Sequence, residues 1–361
     1  MRFPEFTDEW GKYKLSDVCS FFSGGTPSSS KKEYYDGSIP FIRSGELHMN
    51  KTELFITEEG LNNSAAKMVE IGDLLLALYG ATSGDIAIGQ IKGAINQAIL
   101  CIRTTQNKKF IESVWKKHVE KLLQTYLQGG QGNLSADIVK NISFYFANSS
   151  EQMKLAKFIS LLDERIATQN KIIEKLQSLI KGIAQHCIKE STSGNTYVKL
   201  GDICQITTGK LDANAQVDNG IYPFFTCAEQ PFKIDSFAFD TEALLISGNG
   251  ANLGYINYYK GKFNAYQRTY VLDLFSENIQ YIKWALKVLL PKRIAIEKSS
   301  SNTPYIVLST LTDLRLPIPC KSKQSFIANL MQSLERKLSN QIAQYDSYNY
   351  LKQYLLRQMF I

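Results

Sequence analysis

Apolar residues in the first part of the chain form short runs, separated by clusters of Gly, Ser and Asn. The runs are Ile39–Ile42, Asp73–Leu78, Ala98–Ile102 and Ile142–Phe146. Runs of this length between turn-forming residues predict buried strands. Lys109–Gln128 instead carries apolar residues at helical spacing and predicts a helix among the strands. The pattern therefore predicts a globular domain of mixed α and β structure.

The same succession of patterns returns between Tyr197 and about Pro319. Strands are predicted at Ala243–Ile246 and Tyr270–Leu272, and a helix at Ile279–Leu290. We expect that helix to end before Pro291, because proline disrupts a helix interior. A second globular domain of the same kind follows from this order.

A long amphipathic stretch follows each globular domain. Ser149 or Ser150, with Glu151 just downstream, predicts a helix start. Core positions then alternate by four and three residues, as in a coiled coil. In the first stretch these are Leu155, Ile159, Leu162, Ile166, Gln169, Ile173, Leu176, Ile180, Ile183 and Cys187. In the second they are Ile327, Met331, Leu334, Leu338, Gln341, Tyr345, Tyr348, Lys352, Leu355 and Met359.

Each narrow apolar seam needs a partner. The two helices pair with each other in antiparallel fashion, or each forms a coiled coil with a second copy of the chain. The first arrangement is favoured because the chain supplies its own matched partner. It would relate the two halves by a pseudo-twofold axis, with the globular domains at opposite ends. Gln169 and Gln341, at the same level of the two seams, are either tolerated polar positions or a pair that sets the register.

Direct sequence repetition supports a tandem duplication. Lys14–Cys19 reappears as Lys199–Cys204, and Gly80–Gly84 reappears as Gly250–Gly254. We therefore expect four segments, with boundaries at residues 1–148, 149–192, 193–320 and 321–361. The first and third are the globular domains, and the second and fourth are the long helices.

Composition narrows the class of protein only a little. The net charge of +7 weakly favours a polyanionic partner. The first residues contain no apolar segment typical of a secretory signal, and no apolar run approaches the ~18 residues that span a bilayer, so we expect a cytoplasmic protein without membrane contact. Six scattered cysteines without a C-x-x-C pair, with three histidines, predict reduced, packed thiols and no metal site.

Several stretches, in this order and doubled, resemble the DNA-sequence-specificity subunit of type I restriction–modification enzymes. The resemblance spans nearly the whole chain and is carried by Phe6–Trp10, Lys14–Val18, Gly24–Ser28, Tyr34–Leu47, Asn96–Ala98 and Gln152–Ala156. The second domain departs from it, with Thr207–Lys210 and Asp218–Pro223 in place of the Gly-Gly-Thr-Pro and Tyr-Tyr-Asp-Gly runs. Separate half-site specificities would require such divergence.

The resemblance implies an α+β fold with two tandem target-recognition domains and two long helices that form an antiparallel coiled coil. It also implies a non-catalytic subunit of a DNA methylation and restriction complex. Each domain would recognise one half of a bipartite site in double-stranded DNA. The helices would set the spacing and dock two modification (methyltransferase) subunits, which restriction subunits join. S-adenosylmethionine, ATP and Mg would belong to those partners, and this chain would hold no cofactor.

Two other functions are compatible with parts of the sequence. Asn302–Tyr305 is similar to the Asn-Pro-Pro-Tyr box of adenine methyltransferases, with Thr in place of the first Pro. No Gly-rich strand–turn–helix that could bind a cofactor precedes it, so a loop that approaches DNA is favoured over a self-contained methyltransferase. A tandem coiled-coil adaptor that never meets DNA is the third possibility. No catalytic residue is predicted.

Candidate DNA contacts are Lys, Arg, Asn, Gln and hydroxyl side chains in loops at equivalent points of the two domains. In the first domain they are Arg43, Ser44, Tyr79, Thr82, Ser83, Asn96, Gln97, Gln131 and Asn133. In the second domain they are Lys210, Asn249, Asn252, Gln267, Arg268, Ser300 and Asn302. Asn96 and Gln97 could equally be buried amides that hold two strands together.

Overall fold

The computed structural model describes residues 2–127, 133–191, 196–298 and 305–360, and these divide into two compact units. The first unit comprises residues 1–170 together with 344–361, and the second comprises residues 171–343. The division falls inside the two long helices, so each unit contains one globular domain and a segment of both helices.

The first half of the chain contains ten strands and five α-helices within the described residues. In chain order they are β1 (Gly11–Lys14), α1 (Leu15–Val18), β2 (Cys19–Ser23), β3 (Tyr35–Ile42), β4 (Phe55–Ile56), α2 (Glu58–Asn62), β5 (Lys67–Val69), β6 (Leu74–Ala77), β7 (Ile86–Ile88), β8 (Gly93–Ile95), β9 (Ile99–Thr104), α3 (Lys108–Leu127), α4 (Ala136–Asn141), β10 (Ser143–Phe146) and α5 (Ser149–Glu190). We call the part from β1 to β10 the first domain.

The second half repeats much of this order. Its elements are β11 (Thr196–Lys199), β12 (Gln205–Thr208), β13 (Tyr222–Phe225), β14 (Phe232–Ile234), β15 (Phe239–Ser247), β16 (Ile256–Ala265), β17 (Thr269–Asp273), α6 (Ile279–Lys298), α7 (Leu308–Thr312), β18 (Arg315–Ile318) and α8 (Lys321–Met359). We call the part from β11 to β18 the second domain.

Sheet order explains why the central strands read as unbroken apolar runs. In the first domain the order is β2-β9-β6-β7 in one sheet and β4-β3-β8-β5 in another. Leu74 and Leu76 of β6 join the core under α3 and α5, whereas Leu75 and Ala77 join a second core on the opposite face. Both faces of β6 are buried, so both sets of alternating positions must be apolar.

The second domain uses the same principle in one six-stranded sheet, of order β12-β17-β15-β16-β13-β14. Leu244 and Ile246 of β15 face the core shared with the long helices, and Ala243 and Leu245 face a separate core. The strands predicted at positions 243–246 and 270–272 are confirmed as parts of β15 and β17.

The long helices pair in antiparallel fashion inside each unit. In the first unit Asp163 of α5 contacts Lys352 of α8 at 2.5 Å, and Arg165 contacts Tyr348. Residue numbers along α5 therefore rise as those of the contacting residues of α8 fall. In the second unit the Lys323 ammonium, at the start of α8, donates to the Glu190 carbonyl, at the end of α5, at 3.0 Å, and the two segments pack side by side in one core. The predicted antiparallel pairing is confirmed in both units.

Most predicted seam positions are at least half-buried. Buried or half-buried positions include Leu155, Ile159, Leu162, Ile166, Gln169, Ile173, Leu176, Ile180, Ile327, Met331, Leu334, Leu338, Gln341, Tyr345, Tyr348 and Leu355. Near the end of α5 the deepest positions are Ala184 and Ile188, whereas the predicted Ile183 and Cys187 are half-buried. A straight helix drifts from a strict seven-residue repeat, which accounts for this shift.

One helix prediction is wrong. α6 does not end before Pro291 but continues to Lys298. Proline removes one backbone hydrogen bond, but the following turn is held by Ile294, which packs against the core, and by an Arg293–Glu297 ion pair at 2.7 Å. α6 thereby has the same length, 20 residues, as its repeat counterpart α3.

The six cysteines are free thiols, as predicted. Cys19 and Cys204, which are repeat equivalents, pack half-buried against the cores of their own units. Burial raises the pKa of both thiols, that of Cys204 to about 12. Both therefore behave as small apolar side chains. In the part of the chain that the structure describes, none of the helices is long and apolar enough to cross a membrane.

Candidate nucleic-acid interface

The candidate loops of the first domain meet at one edge of its sheets. β3 and β8 are parallel neighbours, with Phe41 opposite Ala94 and Ile42 opposite Ile95. Parallel strands end at the same edge, so Arg43 and Ser44 emerge beside Asn96 and Gln97. Leu78 connects two further segments, because its N–H donates to the Ala98 carbonyl at 2.8 Å and its carbonyl accepts from Leu134 at 2.9 Å.

These bonds place the Tyr79–Gly84 turn, Asn96–Gln97 and the exposed Asn133 side by side. We call this place the loop edge of the first domain. All described candidates of the first domain lie there. Gln131 lies outside the described residues, as do Ser300 and Asn302 of the second domain.

The second domain has an equivalent loop edge, built by the same backbone hydrogen bonds. The Gly248 N–H donates to the Arg268 carbonyl at 2.8 Å, and the Gly248 carbonyl accepts from Ile306 at 2.9 Å. The Gln267 N–H donates to the Leu211 carbonyl at 2.9 Å, which brings Lys210 alongside. The described candidates of this domain, Lys210, Asn249, Asn252, Gln267 and Arg268, are therefore gathered as well.

The duplicated glycine turn has the same backbone in both domains. Gly80 and Gly250 both have φ of +78°, and Gly84 and Gly254 have φ of +87° and +80°. Left-handed backbone of this kind favours glycine. These glycines are thus explained by turn geometry, which fixes how the intervening side chains are presented.

Several candidate side chains support the loops. The Ser83 hydroxyl donates to the Leu78 carbonyl at 3.0 Å, and the Asn96 Oδ1 accepts from the Ala98 N–H at 3.1 Å. The Asn252 amide donates to the Cys227 carbonyl at 3.0 Å, and the Asn249 Oδ1 accepts from the Cys227 thiol at the same distance. Asn96 is half-buried, and its bond to Ala98 is local to the turn that precedes β9 and does not link two strands, so its contact with DNA stays a prediction.

Other candidates are exposed at the loop edges. Gln97 is exposed, and its Oε1 accepts from the Thr26 hydroxyl at 2.7 Å. The other exposed candidates are Tyr79, Asn133, Lys210, Gln267 and Arg268. Amides, a phenol and cations can donate to phosphates or to base edges, so the arrangement suits nucleic acid.

Arg43 is held by a buried acid that the sequence analysis did not single out. Glu46 is 6% exposed, and its carboxylate accepts from the Arg43 backbone N–H and from the guanidinium, both at 2.9 Å. Burial alone would raise the pKa of Glu46, but the hydrogen bonds from Arg43 outweigh it and lower that pKa. The bond from the Arg43 N–H to the Glu46 carboxylate is one half of a capping box, but arginine has no acceptor for the other half, so the sequence signature of a capping box does not mark this pair.

Thr226 and Cys227 were also missed. They follow β13, which is parallel to β16, and so occupy the place that Arg43 and Ser44 have in the first domain. The local sequence gives no signal that these two residues lie at the loop edge, because their position depends on pairing between strands far apart in the chain.

The model for the Type I restriction modification DNA specificity domain matches residues 7–178 and again residues 192–345. The chain belongs to this family. The specificity domain occurs twice in it, in agreement with the duplicated loop edges. The family is the DNA-recognition component of type I enzymes and not their catalytic component.

Individual relatives agree with this assignment. The EcoDI specificity subunit of Escherichia coli is 44% identical over 137 residues, which cover 38% of this chain and 30% of that protein. The MjaIX specificity subunit of Methanocaldococcus jannaschii is 24% identical, with 92% of this chain and 88% of that protein covered. The crystal structure of a type I S subunit from M. genitalium has the same fold, with a TM-score of 0.66, 18% identity and coverage of 100% and 99%.

The family favours the specificity subunit over the two alternatives that the sequence left open. The Asn302–Pro304 part of the methyltransferase-like box lies outside the described residues. Tyr305, at its end, is exposed and lies next to Ile306 at the loop edge of the second domain. That placement fits a loop that approaches DNA.

Proposed function

We propose that this chain is the subunit of a type I restriction–modification complex that recognises a bipartite site in double-stranded DNA. Each loop edge contacts one half of the site. The observation that carries the proposal is that one set of backbone hydrogen bonds, centred on Leu78 and Gly248, is built twice and presents different side chains. A conserved frame with variable contacts is what two different half-sites require.

The long helices have two roles in this proposal. α5 and α8 contain 42 and 39 residues, and 42 residues at ~1.5 Å each extend about 60 Å, so they serve as the spacer between half-sites. They also dock two modification subunits, which restriction subunits join. Large apolar side chains that a docked subunit would cover are exposed on the two helices: Leu161, Ile172, Leu179, Phe326, Tyr350 and Tyr354. S-adenosylmethionine, ATP and Mg are bound by those partners.

A domain exchange tests the division of labour. Residues 1–148 are replaced by the same region of a relative, and the methylated motif is determined in cells that also carry the modification subunits. We expect one half of the motif to change and the other to stay. A change in the retained half would refute independent recognition.

Two measurements on the chain alone separate the alternatives. DNA affinity should fall steeply with salt, because neutralised phosphates release counterions, whereas an adaptor without DNA binding would show no such affinity. Calorimetry with S-adenosylmethionine should detect no tight binding. Tight binding would instead support a self-contained methyltransferase.

The spacer is tested by a four-residue insertion after Gln169, within α5. Four residues add ~6 Å and just over one helical turn, so the seam stays nearly in phase. One base pair rises ~3.4 Å, so the gap between half-sites should grow by about one base pair. The matched control is a four-residue insertion after Asn219, in an exposed turn, which should leave the gap unchanged. An active complex with an unchanged gap after the first insertion would refute the spacer.

A further inference from the structure

We propose that Arg43 recognises a guanine in the half-site of the first domain, and that buried Glu46 is the residue that positions its guanidinium. The inference rests on the proposed function and makes one contact of it specific. It concerns the loop that follows β3, where Arg43 emerges at the loop edge beside Asn96.

The Glu46 carboxylate is fixed by several donors. Oε1 accepts from Nη2 of Arg43 at 2.9 Å, and Oε2 accepts from the Arg43 backbone N–H at 2.9 Å and lies 3.4 Å from Nε. The buried Thr52 hydroxyl lies 3.1 Å from the same Oε2. A carboxylate held in this way defines the direction in which the arginine side chain points.

The pairing uses one side of the guanidinium and leaves its end available. Nε and one N–H of Nη2 face Glu46, whereas Nη1 and the second N–H of Nη2 form the opposite edge. The Arg43 side chain is 52% exposed, so this edge can be reached by a ligand. Two parallel N–H groups on such an edge match the O6 and N7 acceptors of guanine in the major groove.

Charge distinguishes a base contact from a phosphate contact. A phosphate anchor depends on uncompensated positive charge, but here the guanidinium is already paired with Glu46, and Glu53 adds further negative charge nearby. Hydrogen bonds to the neutral acceptors of guanine do not need that net charge. The fixed orientation also lowers the entropy lost on binding. The pair therefore suits base recognition better than phosphate binding.

The second domain has no counterpart of this arginine. Thr226 stands in the equivalent place after β13, is buried, and accepts a hydrogen bond from the Ala228 N–H at 3.2 Å. The contact is thus confined to the first domain, and its loss should affect one half of the recognised sequence only.

The test is selection of bound duplexes from a randomised library by the full-length chain, followed by sequencing. For Arg43→Lys we expect discrimination at one guanine of one half-site to fall about 10- to 100-fold, with the other positions unchanged. For Glu46→Gln we expect weaker discrimination at the same guanine. That variant should also show a steeper salt dependence, by about one phosphate, because the guanidinium is no longer neutralised. A thermal melt of each variant establishes that it is folded.

Arg103→Lys is the matched control. Arg103 is half-exposed and pairs with buried Asp73 at 2.9 Å, but Asp73 precedes β6, whereas the Tyr79–Gly84 turn follows β6. The control pair therefore lies at the other end of the strands, and its variant should keep the full motif.

Three outcomes would overturn the inference. Arg43→Lys could weaken binding equally for every sequence, which would identify a phosphate contact. The motif could remain intact in both loop-edge variants, or Arg103→Lys could change it in the same way. If the unmodified chain selected no base sequence, both the proposed function and this inference would be wrong. If the unmodified chain selected a motif and Arg43→Lys left discrimination at every guanine unchanged, only the inference would be wrong.

Discussion

The two domains build the same loop edge on different sheets. In the first domain β7 and β8 are separate strands in two sheets, and residues 89–92 lie between them. In the second domain the equivalent stretch is one continuous strand, β16, and the sheet has six strands. The hydrogen bonds around Leu78 and Gly248 are nevertheless the same. The backbone frame of the loop edge therefore differs less between the two domains than the sheet behind it does.

A second shared feature joins each domain to a long helix. Gln152 of α5 accepts from the Asn107 N–H at 3.1 Å and donates to the Ala147 carbonyl at 2.8 Å. Gln324 of α8 makes the equivalent bonds to Asn278 and Pro319 at 3.0 and 2.9 Å. Both glutamines are buried. We call these glutamine-centred contacts between a domain and a long helix the joints. The duplication has thus preserved the joints as well as the loop edges.

The largest expected effect tests whether the two units are stable independently. Ile159→Asp and Met331→Asp each place a carboxylate in an apolar core, of the first and second unit respectively. Each should cost roughly 3–5 kcal/mol, because a buried charge without a partner is poorly solvated. Hydrogen exchange should show loss of protection only in the unit that carries the substitution. Leu161→Asp, at an exposed position of α5, is the control, and equal loss in both units would contradict independence.

The buried glutamines should show equal effects in the two units. Gln152→Leu and Gln324→Leu each remove three hydrogen bonds, among them those to a backbone N–H and a backbone carbonyl, at a cost of roughly 2–3 kcal/mol. Hydrogen exchange resolved by segment measures each loss. Gln353→Leu, on an exposed face of α8, should be nearly neutral. A large effect in one unit and none in the other would show that the joints are not equivalent.

The glycine turns give a smaller effect. A Cβ at Gly84 would lie 2.9 Å from Val119, and one at Gly254 would lie 2.7 Å from Ile294, so both alanine variants combine crowding with backbone strain. Gly80 and Gly250 have open space, so their alanine variants carry only the strain of left-handed backbone, about 1 kcal/mol. Chemical denaturation should place Gly84→Ala and Gly254→Ala below the other two in stability. The reverse order would mean that the turns are not rigid.

The smallest expected effect is a difference between the two domains in how their stability depends on pH. Burial lowers the pKa of His118, partly offset by the hydrogen bond from its Nδ1 to the Val114 carbonyl, and the equivalent residue in the second domain is Leu289. A histidine with a lowered folded pKa binds its proton more readily when unfolded. The first unit should therefore lose stability as pH falls below about 6.5. His118→Leu should flatten this dependence, measured by thermal melts between pH 5 and about 8. An unchanged slope would show that other groups dominate.

Sequence reasoning succeeded where a local pattern carries the information. The alternating three- and four-residue spacing in residues 155–180 predicted the helix pair, and the apolar run at Asp73–Leu78 predicted a strand, which the structure shows to be buried on both faces. It failed at Pro291, because the packing of Ile294 outweighs the local preference for a helix end. The rule that proline ends a helix considers only local backbone geometry and ignores the tertiary packing of the residues that follow.

The candidate interface could be predicted in part. The glycine turns were visible because their spacing is duplicated, and the exposed residues around them follow from loop composition. The role of Asn249 was not visible, since it depends on Cys227, which the parallel pairing of β13 with β16 brings near. Glu46 was missed because an acidic residue is not expected at a DNA-binding surface until its partner is known.

The makeup of the first unit has a consequence for how the chain is synthesised. Its core includes Trp10 and Phe110 from the first domain, and also Leu355, Met359 and Phe360 from the end of α8. The second unit is one continuous segment, residues 171–343. Residues 1–170 are therefore synthesised before the residues that complete their core, and their apolar surface at Leu155 and Ile159 stays uncovered until residues 355–360 have been added. A premature stop codon shortly after residue 343 would therefore harm the first domain, although residues 1–170 would still be made.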